Sequence, residues 1–241
     1  MPPIFAAMKK RGLLLFCIAG ILLFAQCSQG QQSGTVLWNT VQFPIKFSTK
    51  WQLHNDISYR TIGVSGSAYQ YTFRTGVRRF INEKWNIATG LAFFFTRTSF
   101  DKANHEFGRE FRLWQEVVKE NKLTKKLSLF NRFRTEERFF AATSIKDETT
   151  ALRLRYRVAA VQTIAKKWKI QMANEYMQQL GEGKFAFQQN RLGATLIHEF
   201  NNTTQVQTGY IWSKLAAATQ HLITCTFLKT IVADGHRTGK R

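Results

Sequence analysis

The sequence predicts an all-β fold: an up-and-down antiparallel transmembrane β-barrel of ten strands, or twelve if a segment near the N-terminus also spans. Three observations predict it. The N-terminus reads as an export signal, the remainder alternates oily and wet residues over long segments, and a lysine–aromatic signature recurs at hairpin spacing. Composition agrees, with 21 Phe, 6 Trp and 6 Tyr against only 3 Pro, because aromatic residues suit strands and proline interrupts them.

Lys9, Lys10 and Arg11 precede an unbroken apolar run over 13–25, which exits through Gln26, Cys27, Ser28, Gln29 and Gly30. A basic start, a short apolar core and a small-residue exit make a secretory signal peptide over 1–30, with cleavage expected after Gly30. The run is shorter than the roughly twenty residues of a spanning helix. Gln26 stands where a lipobox wants a small residue, so lipidation of Cys27 is not expected. Loss of the leader leaves Cys225 alone, and no intrachain disulfide can hold the mature fold.

Past Gly34 no stretch is apolar enough for a membrane helix. Residues 31–49 are a lead-in, or an extra strand formed by 35–43, and the barrel is expected over 50–229. In 51–63, Trp51, Leu53, Ile57 and Tyr59 share one parity, while Gln52, His54, Asp56, Ser58 and Arg60 share the other. Side chains of a strand point alternately to its two faces, so one face is oily and one is wet. Residues 68–80 set Tyr69, Tyr71, Phe73 and Val77 against Gln70, Thr72, Arg74 and Arg78, and 85–99 carries Ile87, Leu91, Phe93 and Phe95 on its oily side. Further segments are 105–118, 126–140, 149–163, 167–178, 185–198, 203–213 and 220–229. Each has the roughly 9–11 residues of a tilted membrane strand, where soluble strands average about five or six.

Four strands open alike, with Lys50-Trp51, Lys84-Trp85, Lys126-Leu127 and Lys167-Trp168, at spacings of 34 to 42 residues. That is one hairpin per repeat. Tryptophan prefers the bilayer interface and lysine reaches headgroups, so Trp51, Trp85 and Trp168 are expected anchors, with Trp212 as a fourth near the end of its strand. Links into the lysine sites are tight and the opposite links longer, which places the lysine edge and both termini in the periplasm. A soluble sandwich or lipocalin-like barrel also alternates, with its oily side inward. Arginine runs with interleaved glutamate on the wet faces, and aromatics near strand ends, favour the membrane arrangement.

The wet parity of the middle strands is dense with ions. It holds Glu110, Arg112 and Glu116, then Arg132, Arg134, Glu136 and Arg138, then Arg153, Arg155 and Arg157, followed by Glu175 and Arg191. Unpaired charges in a narrow lumen are costly, so these residues are expected to pair and fill the interior, with arginine forks gripping carboxylates. Because arginine outnumbers acid, the alternative is a narrow anion-selective pore or transporter lined by Arg112, Arg134, Arg153, Arg155 and Arg157.

Glu110-Phe111-Arg112-Leu113-Trp114-Gln115, the run Arg132-Phe133-Arg134-Thr135-Glu136-Glu137-Arg138, Arg153-Leu154-Arg155, Asn174-Glu175 and Asn190-Arg191 occur in that order. This ordered set resembles the family called domain of unknown function 2490. The resemblance covers most of 35–229 and implies a barrel in the outer membrane of Bacteroidota-type bacteria, without implying a reaction. One departure is the C-terminus, where Phe227 is followed by fourteen residues, including a basic tail over 230–241, instead of ending the chain.

Other function classes find less support. Net charge is +20, yet the basic residues are spread along the chain and no nucleic-acid module is present. No ligand spacing for a metal and no cofactor motif occurs; Gly181-Glu182-Gly183-Lys184 lacks the context of a phosphate loop. A lipid-active hydrolase would centre on His54 and Ser58, beside Asp56 and with His105 near a loop. His198 and His221 read as interfacial and His236 as solvated. The expected partners are outer-membrane lipid, lipopolysaccharide and the barrel-assembly machinery, and no catalysis is expected.

Overall fold

Alternation fixes two faces for every strand, and ring closure decides which face is covered. The computed structural model describes residues 33–63, 66–99, 106–181 and 183–233. The expected signal peptide, its cleavage point, Cys27, His105, His236 and the tail beyond 233 lie outside the described residues. The elements are β1 (Ser33–Gln42), β2 (Ile45–Lys46), β3 (Trp51–Ile62), β4 (Ala68–Phe80), β5 (Trp85–Arg97), β6 (Phe107–Lys122), β7 (Leu127–Phe140), β8 (Thr149–Ala165), β9 (Trp168–Gly181), β10 (Lys184–Asn201), β11 (Thr204–Leu215), β12 (Thr219–Lys229) and β13 (Ile231–Val232). Among the described residues there is no helix.

Each of the ten alternating segments is a strand, β3 to β12, and each pairs antiparallel with the next. Links at the edge where Trp51, Trp85, Leu127 and Trp168 begin their strands, the lysine edge, are two to four residues long. Links at the opposite, loop edge run from two to nine.

The closure differs from the expectation. The ring has eleven strands, because β1 enters the wall between β12 and β3. It lies parallel to β12 from Ser33↔Thr219 to Gln42↔Leu228 and antiparallel to β3 from Leu37↔Thr61 to Gln42↔Asp56. The reason is topological. The link over 43–50 turns β1 back against β3, and β12 already runs opposite to β3, so a strand inserted between them must be parallel to one. An odd ring cannot be antiparallel throughout. Residues 31–49 are therefore not merely a lead-in, and the described ring strands do not begin and end at one edge: Ser33 lies at the loop edge and Lys229 at the lysine edge. Short β2 and β13 pair with each other, and β2 extends along the start of β3.

The oily parity faces out and the wet parity faces in. Ile57, Phe73, Phe93, Phe133, Tyr156, Tyr210 and Ile223 are exposed, while Asp56, Glu116, Arg134, Glu136 and Glu175 are buried. The small apolar core inside consists of Ala88, Ala92 and Trp114, with Phe94 against it. Trp114 is only 1% exposed, and its indole lies over the paired glycines Gly76 and Gly90. A Cβ on Gly76 would sit 2.4 Å from the Trp114 ring, and one on Gly90 would sit 2.5 Å from the Gly76 Cα. These glycines are required because two strand backbones and an indole share one place. Gly76→Val should therefore cost about 1–3 kcal/mol, the usual penalty of overpacking, read as a lowered denaturation midpoint; an unchanged midpoint would show that Trp114 is not held there.

Candidate functional site

The inward parity of β3 through β10 converges on one internal cavity of about 1080 Å³. Its lining reaches from Thr98, Thr143 and Lys146 at the loop edge to Asn86, Glu120 and Gln205 at the lysine edge. Thirteen arginines line it against six acidic residues, among the described residues. Carboxylates are the scarce component, and the geometry shares four of them, Glu110, Glu116, Glu136 and Glu175, between two or more guanidiniums each.

Glu136 on β7 lies 2.5 Å from Arg155 on β8, 3.3 Å from Arg112 on β6, 3.3 Å from Arg153 and 3.6 Å from its strand neighbour Arg134. Glu175 on β9 accepts from Arg132 at 2.5 Å and from Arg155 at 2.8 Å. Glu116 on β6 takes Arg134 at 2.6 Å and Arg78 at 2.8 Å, with Arg132 at 4.0 Å. Arg155, Arg132 and Arg134 thereby link Glu136, Glu175 and Glu116 into a closed circuit of three acids and three guanidiniums. Glu110 adds a branch, held at 2.5 Å by both Arg112 and Arg138, and Arg138 also donates to Gln179 at 2.5 Å. Aromatic faces back the cations: Arg112 lies 3.5 Å over Phe94, and Arg134 lies 4.9 Å over Trp114.

The structure thus gathers Glu110, Arg112, Glu116, Arg132, Arg134, Glu136, Arg138, Arg153, Arg155 and Glu175 into one network. Arg157 and Arg191 stand directly opposite Glu175 on the two strands beside it, but its carboxylate is turned to Arg132 and Arg155. Sequence reasoning left Asp56, Arg74, Arg78, Trp114 and Trp38 outside the site. Asp56 is gripped by Arg74 at 2.7 Å, and the signal for that pair was their shared wet parity on adjacent strands. Trp114 and Trp38 were hidden because an inward aromatic breaks the rule that oily means outward.

His54 donates a ring N–H to the Asp56 carboxylate, 2.8 Å away, and its ring meets Trp114 edge-on. Ser58 is buried on the same face, but four residues of strand separate it from His54, about 13 Å. The geometry brings His54 to Asp56 and does not bring Ser58 to either. No cluster of His, Cys, Asp and Glu among the described residues has metal-ligand geometry.

On the outer surface Trp51, Trp85 and Trp168 are exposed at the lysine edge, with Arg79 near Trp51 and Lys119 near Trp85. Trp212 lies toward the loop edge, opposite His221 on β12, and His221 hydrogen-bonds the Tyr210 hydroxyl at 2.6 Å. Beyond the strands, Ser144 donates its backbone N–H to Glu106 at 3.0 Å. This bond and the Ser144 hydroxyl hold the Glu106 carboxyl below its ordinary value.

The family described as "Protein of unknown function (DUF2490)" matches residues 35–222. Among solved structures, the NanC porin in a rhombohedral crystal form is similar, with 10% identity over 75% of this chain and 81% of that chain and a TM-score of 0.48. No curated protein matches the chain.

Glu136→Gln strands its guanidinium neighbours without a counter-charge and should cost roughly 3–5 kcal/mol. Adding Arg155→Met to that variant should recover roughly 0.5–3 kcal/mol of the loss, because neighbours in one network do not add independently. Denaturation of the wild type, both single variants and the double variant completes the cycle. Strict additivity would remove the coupling.

Proposed function

We propose, from the premise that the chain belongs to the DUF2490 family of proteins of unknown function, that it is a barrel of the bacterial outer membrane with a mainly structural role in the envelope. Its arginine–glutamate network is the scaffold that holds a narrow lumen open and in shape. The observation that carries this reading is the orientation of the wall: exposed apolar and aromatic residues outside, paired ions inside.

Distances support it. The outward residues Trp85, Ile87, Leu91, Phe93 and Phe95 of β5 extend over about 34 Å of strand at roughly 3.4 Å per residue. At a tilt of about 35–45° that is some 24–28 Å of height, close to the roughly 25 Å apolar band of outer-membrane barrels. Trp51, Trp85 and Trp168 at one edge and Trp212 toward the other suit two interfaces, where they would meet lipid and lipopolysaccharide headgroups. A closed ring leaves no strand edge to satisfy, which is the condition for crossing hydrocarbon, and insertion would need the barrel-assembly machinery.

A second reading is favoured by one observation, the excess of arginine along a cavity lined from edge to edge. It is passage of small anions. Folded protein extracted in detergent should migrate differently on a gel before and after boiling; a single unchanged band argues against the membrane barrel. In planar bilayers under a KCl gradient, passage should give a reversal potential on the chloride side that Arg155→Glu abolishes. Silence there leaves the scaffold reading and ends the pore.

A further inference from the structure

Two of the luminal guanidiniums outside the carboxylate network meet at one indole. The Nε atoms of Arg60 on β3 and Arg191 on β10 are buried and have no hydrogen-bond partner. Both face the same indole: the Arg60 guanidinium carbon lies 3.7 Å from the Trp38 ring centroid and that of Arg191 lies 5.6 Å from it. Their wall neighbours supply no free negative charge. Arg60 stands between Trp38 on β1 and Gln70 on β4, which are neutral. Arg191 stands between Ser213 on β11 and Glu175 on β9, and Glu175 is already bound by Arg132 and Arg155.

An uncompensated charge buried in a protein is costly unless something pairs with it. A guanidinium resting face-on against an aromatic ring keeps its in-plane N–H donors free along its edge. Those edges present the fork that binds a carboxylate or phosphate with two parallel hydrogen bonds. Both side chains also line the cavity of about 1080 Å³ that runs between the two edges. Cation, donor edge and access therefore coincide at one point of the wall.

We propose that Arg60 and Arg191, positioned by Trp38, form an oxyanion-binding site in the lumen for a small solute bearing a carboxylate or phosphate group. This rests on the reading of the lumen as open to water, but not on whether the anion then passes through. The bound oxyanion supplies the counter-charge that the five buried carboxylates Asp56, Glu110, Glu116, Glu136 and Glu175 do not. It also ties β1 more firmly to the ring, because Trp38 lies on the strand that closes it.

The test uses the full folded barrel in detergent at low ionic strength, titrated calorimetrically with inorganic phosphate and, separately, with acetate. Saturable binding of either is expected, and the stronger of the two identifies the preferred group. Arg60→Gln and Arg191→Gln should each weaken it by about tenfold or more, the scale of a lost charge-assisted pair. Arg60→Lys and Arg191→Lys, which keep the charge and lose the fork, should fall between. Arg79→Gln removes the same charge from the outer face beside Trp51 and should leave binding within about twofold, because it lies on the other side of the wall. Each variant is first shown to be folded by its shift on an unboiled gel; should a glutamine variant not fold, the lysine variant at that position decides. Binding that is absent in the wild type, or equally weakened by Arg79→Gln, overturns the site. Bilayer recordings separate this outcome from the fate of the pore. Chloride-selective current without saturable binding overturns the site and keeps the passage, whereas saturable binding without current supports the site and removes the passage.

Discussion

A carboxylate among guanidiniums in a confined interior is tolerable only when nearly every lone pair and every donor finds a partner. Glu136 is the point where this chain meets that demand most fully. It lies within salt-bridge distance of Arg112, Arg134, Arg153 and Arg155, side chains that arrive from three adjacent strands. Because strand side chains are fixed by register, those contacts require β6, β7 and β8 to be aligned to the residue. A slip of one residue would turn each strand's ions to the outer face and its aromatics inward. The network is therefore a register lock as well as a filler. Closing it through Glu175 and Glu116 carries the same requirement around to β9 and, by way of Arg78, to β4.

The closing strand obeys a different logic. β1 contributes no acid or guanidinium to the network. Its inward residues are Val36, Trp38, Thr40 and Gln42, and it meets β3 over only six residue pairs while meeting β12 over ten. Trp38 compensates for the short pairing by lying against Arg60 and within reach of Arg191. Cation–π contacts of this kind contribute about 0.5–2 kcal/mol each, more as water is excluded. Two of the cations that the ion-pair circuit leaves over, Arg60 and Arg191, hold the seam.

What was legible in the sequence follows from the same physics. β4 is bounded by Ala68 and Phe80, as the alternation indicates, because aromatics and arginines keep opposite parity from Tyr71 to Arg78. β6 and β10 extend further than their alternation does. Phe107–Lys122 and Lys184–Asn201 end in mixed polar residues near the rim, where neither lipid-like nor lumen-like surroundings impose a period. β1 read as a lead-in or an extra strand, and not as one of the ten, because Val36 and Trp38 place apolar side chains on the wet parity, and Asn39 stands on the other. Register across strands is not written in any single strand. The sequence could therefore group Arg153, Arg155 and Arg157 on one face without indicating that Glu175 would choose Arg155 over Arg157. The inward tryptophans were invisible for the complementary reason, since only the paired glycines Gly76 and Gly90 make room for Trp114.

Scaffold and basic lumen are consequences of one composition, not competing designs. Were acids and arginines equal in number, the interior could close into a neutral plug. With thirteen arginines to six acids lining the cavity, the four carboxylates at the centre are already shared and further guanidiniums must be accommodated by aromatic faces and by solvent. Such an interior repels cations whichever way the chain is used, and it attracts anions along its length. The rigidity that the glutamates supply is what keeps these positive charges apart and at fixed positions, instead of letting them collapse onto a mobile counter-ion. A lumen braced in this way keeps its charges in place because it is scaffolded: removing the acids would raise its charge and destroy the geometry that gives that charge a defined place.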